Sequence, residues 1–211
     1  MKIIVISPQK SIDNEIEIVI SLFEEGMNTY HLKKPHYSSK KIRSYLDKIP
    51  HEFHNRIVIH GHLKFALKYN LKGIHLSSKH KKNTFKQWFL LKRIKRKNPW
   101  ITVSTSLRSI SDIEFYKDLY DYVFLSPIFD PISKNDYQSG FKEFSLSSAT
   151  KRSNYKIVAL GGVEVDKIEK AIAIGFWGCG FLGAIWNKEN PLDFFKDIKT
   201  KCAELKALSK E

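Results

Sequence analysis

Cysteine is scarce in this chain of 211 residues: the two present, Cys179 and Cys202, follow no metal-ligand spacing and are too few for a disulfide framework. That excludes a small disulfide-stapled scaffold and points to a reducing, cytoplasmic home. Long apolar runs are missing as well. No stretch approaches the roughly 20 apolar residues that cross a bilayer. After Met1-Lys2 the opening run Ile3 to Ile6 meets polar Ser7 and Pro8, too short for a signal-peptide core, so no membrane partner is expected. Linkers and low-complexity segments are also lacking, and 42% hydrophobic residues suffice for a full core, which excludes a disordered tail. Acidic residues are outnumbered, 22 Asp+Glu against 36 Lys+Arg, giving a net charge of +14. The surplus favours anionic partners as a class, from nucleic acid to phosphorylated metabolites, without choosing among them.

What the chain does contain is a repeating alternation. Short β-branched runs lead into stretches with helical spacing of apolar residues, the signature of a parallel sheet built from strand-helix units. The strands fall at Lys2 to Ser7, Asn28 to Lys33, Arg56 to His60, Gly73 to Leu76, Ile101 to Thr105, Asp121 to Ser126, Lys156 to Leu160 and Gly178 to Leu182. Helices follow at about Asp13 to Glu25 (capped by Ser11 or Asp13), Ser38 to Asp47, around Leu63 to Leu67, Phe85 to Lys97, Ser109 to Lys117, Lys142 to Arg152, Val165 to Ile174 and Pro191 to Leu208. Eight such units without a linker predict one α/β domain over residues 1–211, a single (β/α)8 TIM barrel. Its active site would lie at the C-terminal strand ends.

Candidate chemistry therefore sits just after each strand. Gly161-Gly162-Val163 follows strand seven, and Gly178, Gly180 and Gly183 surround strand eight, where barrels of this kind commonly bind phosphate through backbone N–H groups and a short helix. Tight turns are the plainer reading of the same glycines. In the long loop after strand six, Ser133 and Lys134 place a hydroxyl beside an ammonium group, a pairing suited to phosphate. A solvated lysine, neutralised by Asp130 or Asp136, is the alternative.

Seven segments carry a resemblance to the thiamine-phosphate synthase and thiazole tautomerase superfamily over nearly the whole length. They are His31-Leu32-Lys33-Lys34-Pro35, Ile59-His60-Gly61-His62, Gly73-Ile74-His75-Leu76, Ser104 to Ile113, Asp121 to Lys134, Ala159 to Val163 and Gly175 to Ile185. The resemblance implies a transferase of thiamine biosynthesis, joining hydroxymethylpyrimidine diphosphate to thiazole phosphate with magnesium on the departing diphosphate. Carried over by position, Gly162 with the backbone of Leu182 and Gly183 resembles the phosphate cradle. Ser133 and Lys134 match the loop-six pair, with Pro131 where a further hydroxyl is usual. Lys33 stands at an Arg position, keeping the charge but losing the bidentate fork, while Pro35 replaces a second cation that Lys34 would have to restore. The two magnesium-ligand positions hold Gly61 and His80, neither a hard oxygen ligand, so no residue is assigned to the metal unless one such as Asp130 serves. The histidine of the tautomerase branch is replaced by Arg108, which cannot act as a general base at neutral pH but can bind an anion. Lys33 and Arg108 are thus the candidates to stabilise the leaving diphosphate.

Histidines gather on strands two to four. His31 or His60 could bind or protonate a ligand ring, and the group with His75 and His80 could take a soft divalent metal; His75 as a satisfied barrel residue and His80 as part of a basic loop is the preferred reading. Two rival functions remain. One is a non-catalytic barrel that retains thiazole-phosphate or thiamine-phosphate binding. The other, weaker, is nucleic-acid binding through Lys86 to Lys97 with Trp88 and Trp100, against which Trp88, Leu91 and Ile94 have core-stripe spacing. Homo-oligomerisation is left open.

Overall fold

The computed structural model describes residues 1–77, 84–115, 120–129 and 141–208. Eight parallel strands follow one another in chain order around a closed barrel, the (β/α)8 fold the alternation predicts. They are β1 (Lys2–Ile6), β2 (Tyr30–Leu32), β3 (Ile57–His60), β4 (Gly73–Leu76), β5 (Thr102–Leu107), β6 (Tyr122–Leu125), β7 (Lys156–Leu160) and β8 (Gly178–Phe181). The helices are α1 (Glu15–Glu24), α2 (Ser39–Asp47), α3 (Thr84–Lys97), α4 (Ser111–Phe115), α5 (Glu143–Arg152), α6 (Ile168–Ile174), α7 (Gly183–Trp186) and α8 (Pro191–Leu208).

The departures from the sequence reading have local causes. Neither Ser11 nor Asp13 caps α1: the N-cap is Asn14, in left-handed geometry at φ 54° and without a side-chain cap bond, a conformation Asn tolerates. The segment Leu63–Leu67 is a 3₁₀ turn, entered through His62 at φ 46°. Val165–Lys167 likewise forms a 3₁₀ turn before α6. Trp88 is no part of a core stripe. It is 55% exposed with the Lys92 ammonium 4.9 Å from its ring centroid, whereas Ile94 is fully buried.

Contacts divide the chain into two compact units, Met1–Val5 with Ser106–Glu211, and Ile6–Thr105. In the first, β8 lies between β1 and β7. A Cβ on Gly178 would sit 2.8 Å from the Lys2 carbonyl oxygen, so this glycine serves strand packing. Gly180 meets Leu160 and Phe124 at 3.2 Å and does the same. Along α8, Phe195 and Ile198 are buried.

In the second unit β2 to β5 pair in succession, and α1 buries Val19, Leu22 and Phe23. Phe23 meets Tyr30 edge-on at 6.0 Å and stacks on Phe53 at 5.0 Å. An ion pair is buried here. Lys34 Nζ donates to Glu15 Oε2 at 2.6 Å and to the Lys10 carbonyl at 3.0 Å. Tyr45 OH donates to Glu15 Oε1 at 2.8 Å, leaving its oxygen to accept from Tyr30 OH at 2.9 Å. Burial, reinforced by the Glu15 carboxylate, pushes both phenols well above their ordinary range and keeps them protonated as donors.

Removing one member of such a pair strands a charge in a dry site. Glu15→Ala should cost about 3–5 kcal/mol in urea unfolding. Combining it with Lys34→Met should recover most of that loss, since the orphaned ammonium is then gone.

Candidate active site

Side chains alternate across a strand, so register decides which residues share a face. Across β2, β3, β4 and β5, His31 pairs with Val58, two residues before His60; His60 pairs with His75, and His75 with Ser104. All four polar side chains therefore leave one face. Tyr30, on the other, bonds to Tyr45 of α2, so the histidine face is the one turned away from that helix.

The three imidazoles are in mutual contact. His31 Nδ1 lies 2.8 Å from His60 Nε2, and the two rings meet edge-on at 5.0 Å. His60 stacks on His75, with centroids 4.0 Å apart and planes 12° from parallel. His75 Nδ1 is 3.0 Å from Ser104 Oγ, whose hydroxyl points to the Ile74 carbonyl at 3.4 Å. A hydroxyl has one proton to donate, so Ser104 accepts from His75 Nδ1–H and fixes its tautomer. His31 and His75 are buried and His60 is half-buried. Burial, with the positive fields of His75, Lys72 and Lys33, holds the His31 imidazole well below its ordinary range, so it is neutral near pH 7.

Lys33 follows β2 directly. Its N–H donates to Ser7 Oγ at 2.8 Å, the same hydroxyl donates to its carbonyl at 3.1 Å, and the Ser7 N–H donates to the His31 carbonyl at 2.9 Å. Residue 33 is thereby held in place by the end of β1. The sequence reading missed both Ser7 and Ser104, whose partners are set by how neighbouring strands align. Lys34, weighed as a substitute cation, is committed to Glu15 and fully buried. His62, after β3, is tied by Nε2 to the Tyr37 carbonyl at 2.9 Å and by Nδ1 to Ser39 Oγ at 3.0 Å.

In the other unit, Gly161 and Gly162 follow β7 with φ of 88° and 66°, left-handed backbone that suits glycine. A Cβ on Gly161 would lie 3.0 Å from Pro127, against which the turn is tied by Ile128 N–H to the Leu160 carbonyl and Phe129 N–H to the Gly161 carbonyl, both 3.0 Å. After β8, Leu182 is the N-cap of α7, which the sequence reading took for a simple turn; the amides of Gly183 and Ala184 are first-turn donors without an acceptor inside the helix. Arg108 follows β5 directly and is exposed. Ser133, Lys134, Asp130 and His80 lie outside the described residues.

The family model for thiamine monophosphate synthase (TMP-TENI) matches residues 3–185. The chain belongs to the thiamine monophosphate synthase family. A thiamine-phosphate synthase of Clostridium tetani is 26% identical over 184 residues, covering 85% of this chain and 81% of that protein. That of a Psychrobacter species is 24% identical over 185 residues, covering 83% and 82%. Among solved structures, a thiamine phosphate pyrophosphorylase from Bacteroides thetaiotaomicron superposes with a TM-score of 0.79 at 30% identity, covering 96% of this chain and 98% of that one.

Magnesium, which the family resemblance implies, finds poor provision among the described residues. Gly61, at one position where the resemblance implies a ligand, has no side chain, and the neighbouring donors on β2 to β4 are imidazole nitrogens, where magnesium requires oxygen.

The neutral state of His31 has a thermodynamic consequence. In the unfolded chain its imidazole takes up a proton as pH falls through about 6.5; in the folded protein it does not. Stability is thus full above that pH and declines below it, by up to about 1.4 kcal/mol per pH unit for this one proton. Urea unfolding of EDTA-treated protein at about pH 7.5 and pH 5.5 should show that decline, and His31→Gln should make it shallower.

Proposed function

We propose that this barrel, acting as one domain over residues 1–211, is a transferase of thiamine biosynthesis that forms thiamine phosphate from hydroxymethylpyrimidine diphosphate and thiazole phosphate, releasing diphosphate. The observation that carries the reading is the family match over residues 3–185, and the glycine turn after β7 gives it a chemical footing. Left-handed glycines and the free amides of α7 offer N–H donors to a phosphate. In this reading Gly162, Leu182 and Gly183 hold the thiazole phosphate, together with Ser133 and Lys134.

The reaction breaks the bond between the pyrimidine methylene carbon and the diphosphate oxygen, whose electron pair leaves with diphosphate. The thiazole nitrogen then supplies the pair that forms the new bond. Lys33 and Arg108 are the cations assigned to the charge that develops on the leaving group. Lys33 is held by both its backbone groups, so its stem starts from a fixed point. His31 and His60 are the polar groups offered to the pyrimidine ring.

A non-catalytic reading is favoured by one observation: Gly61 leaves a ligand position without a carboxylate. The two readings separate in one experiment. Calorimetric titration with thiazole phosphate and with thiamine phosphate, followed by an assay for thiamine phosphate formation, should show binding with turnover. Binding without turnover would establish the non-catalytic barrel, and no binding would remove the phosphate assignments. Lys134→Ala should weaken thiazole-phosphate binding about tenfold, by the loss of one charge-assisted hydrogen bond. Lys33→Ala and Arg108→Ala should each lower kcat, and unchanged kinetics in both would reject their roles.

A further inference from the structure

We propose that His31, His60 and His75 form a three-imidazole site for a divalent transition-metal cation of the zinc class, with one coordination position left open. One ring nitrogen from each lies within 4.8 Å of the others. Four-coordinate zinc, with Zn–N near 2.0–2.1 Å, sets its ligand nitrogens about 3.4 Å apart, so the cluster needs only side-chain adjustment to close on an ion. The ligands stand on three consecutive paired strands, a rigid base, and two of the three are buried.

The donor set selects the cation. Imidazole nitrogen suits zinc, cobalt, nickel and copper, whereas magnesium and calcium take oxygen. The second layer is built too. Because Ser104 accepts from His75 Nδ1–H, Nε2 is the nitrogen of His75 that carries the lone pair, the usual arrangement in which the far nitrogen of a metal-bound imidazole is held by a hydrogen bond.

Two local changes accompany binding. The His31–His60 pair shares one proton, and where the donating nitrogen is the one that ligates, its ring moves that proton to the other nitrogen, a change of tautomer and not of charge. His60 must also rotate out of its stack on His75, since parallel rings cannot aim in-plane lone pairs at one ion. Half-buried, His60 is the member with room to turn. The fourth position falls to water or to an oxygen or nitrogen of a bound ligand, the pattern of reactive rather than purely structural zinc sites.

The test is a cobalt(II) titration of the tag-free full chain after EDTA treatment, followed by d–d absorption with no substrate present, so that its outcome is independent of the synthase reading. One equivalent should saturate the signal with the intensity of low coordination number, zinc(II) should displace it, and millimolar magnesium should not. His60→Asn should abolish the signal, and Ser104→Ala, which keeps all three imidazoles, should weaken binding about 10–100-fold. Circular dichroism in EDTA checks the fold of each variant; if His60→Asn fails to fold, Ser104→Ala decides. Absence of a saturable signal in the parent chain, or a signal unchanged in the variant that decides, would overturn the proposal.

Discussion

A closed parallel barrel covers both faces of every strand, and that constraint governs the rest of this molecule. With a side-chain period of two, each strand must satisfy two different surroundings at once. The face of β2 to β5 that meets the helices is apolar: Leu32, Ile59, Ile74 and Val103 are all buried there. The opposite face carries His31, His60, His75 and Ser104, which must find partners among themselves because water does not reach most of them. Their mutual hydrogen bonds and ring stacking follow from that confinement, as does the neutrality of His31.

The same confinement explains why Lys34 is no use to a ligand. An ammonium group at the end of β2 could in principle reach forward to an anion, but Lys34 turns toward α1 and meets Glu15 in a site closed to solvent. Two buried charges are tolerable together and costly apart, so neither can leave for a substrate without exposing the other. Lys33, one residue earlier and on the opposite side of the chain, has no part in that pair, and Ser7 holds its backbone. Two adjacent lysines thereby differ: the side chain of one is locked in a buried ion pair, and the other is fixed through its backbone alone.

How legible all this was in the sequence depends on the scale of the signal. β4 and β7 match their expected bounds to the residue, because each holds β-formers framed by polar or turn residues. The one-turn helix α7 and the 3₁₀ turn at Leu63–Leu67 left no periodicity long enough to read. The histidines were legible as positions at strand ends, but their contact depends on register, which a single strand does not encode. The exposure of Trp88 was hidden for a related reason: apolar spacing at three-residue intervals names a face of α3 without saying how far that face extends beneath cover.

The pattern of departures from the family has a physical logic. On the β7–β8 side, the turn after β7 and the start of α7 present backbone amides and left-handed glycines, features set by chain path rather than by side-chain identity. Such a site survives wide sequence divergence, because substitution elsewhere leaves the N–H groups in place. On the β2–β4 side the polar groups are side chains, and the positions the resemblance singles out hold imidazoles, a lysine, a proline and a glycine. Divergence at positions where side chains carry chemistry changes which contacts a site offers, whereas backbone donors depend on chain path alone. Similarity spread over most of the chain at 24–26% identity to thiamine-phosphate synthases therefore carries features of the backbone further than those of single side chains.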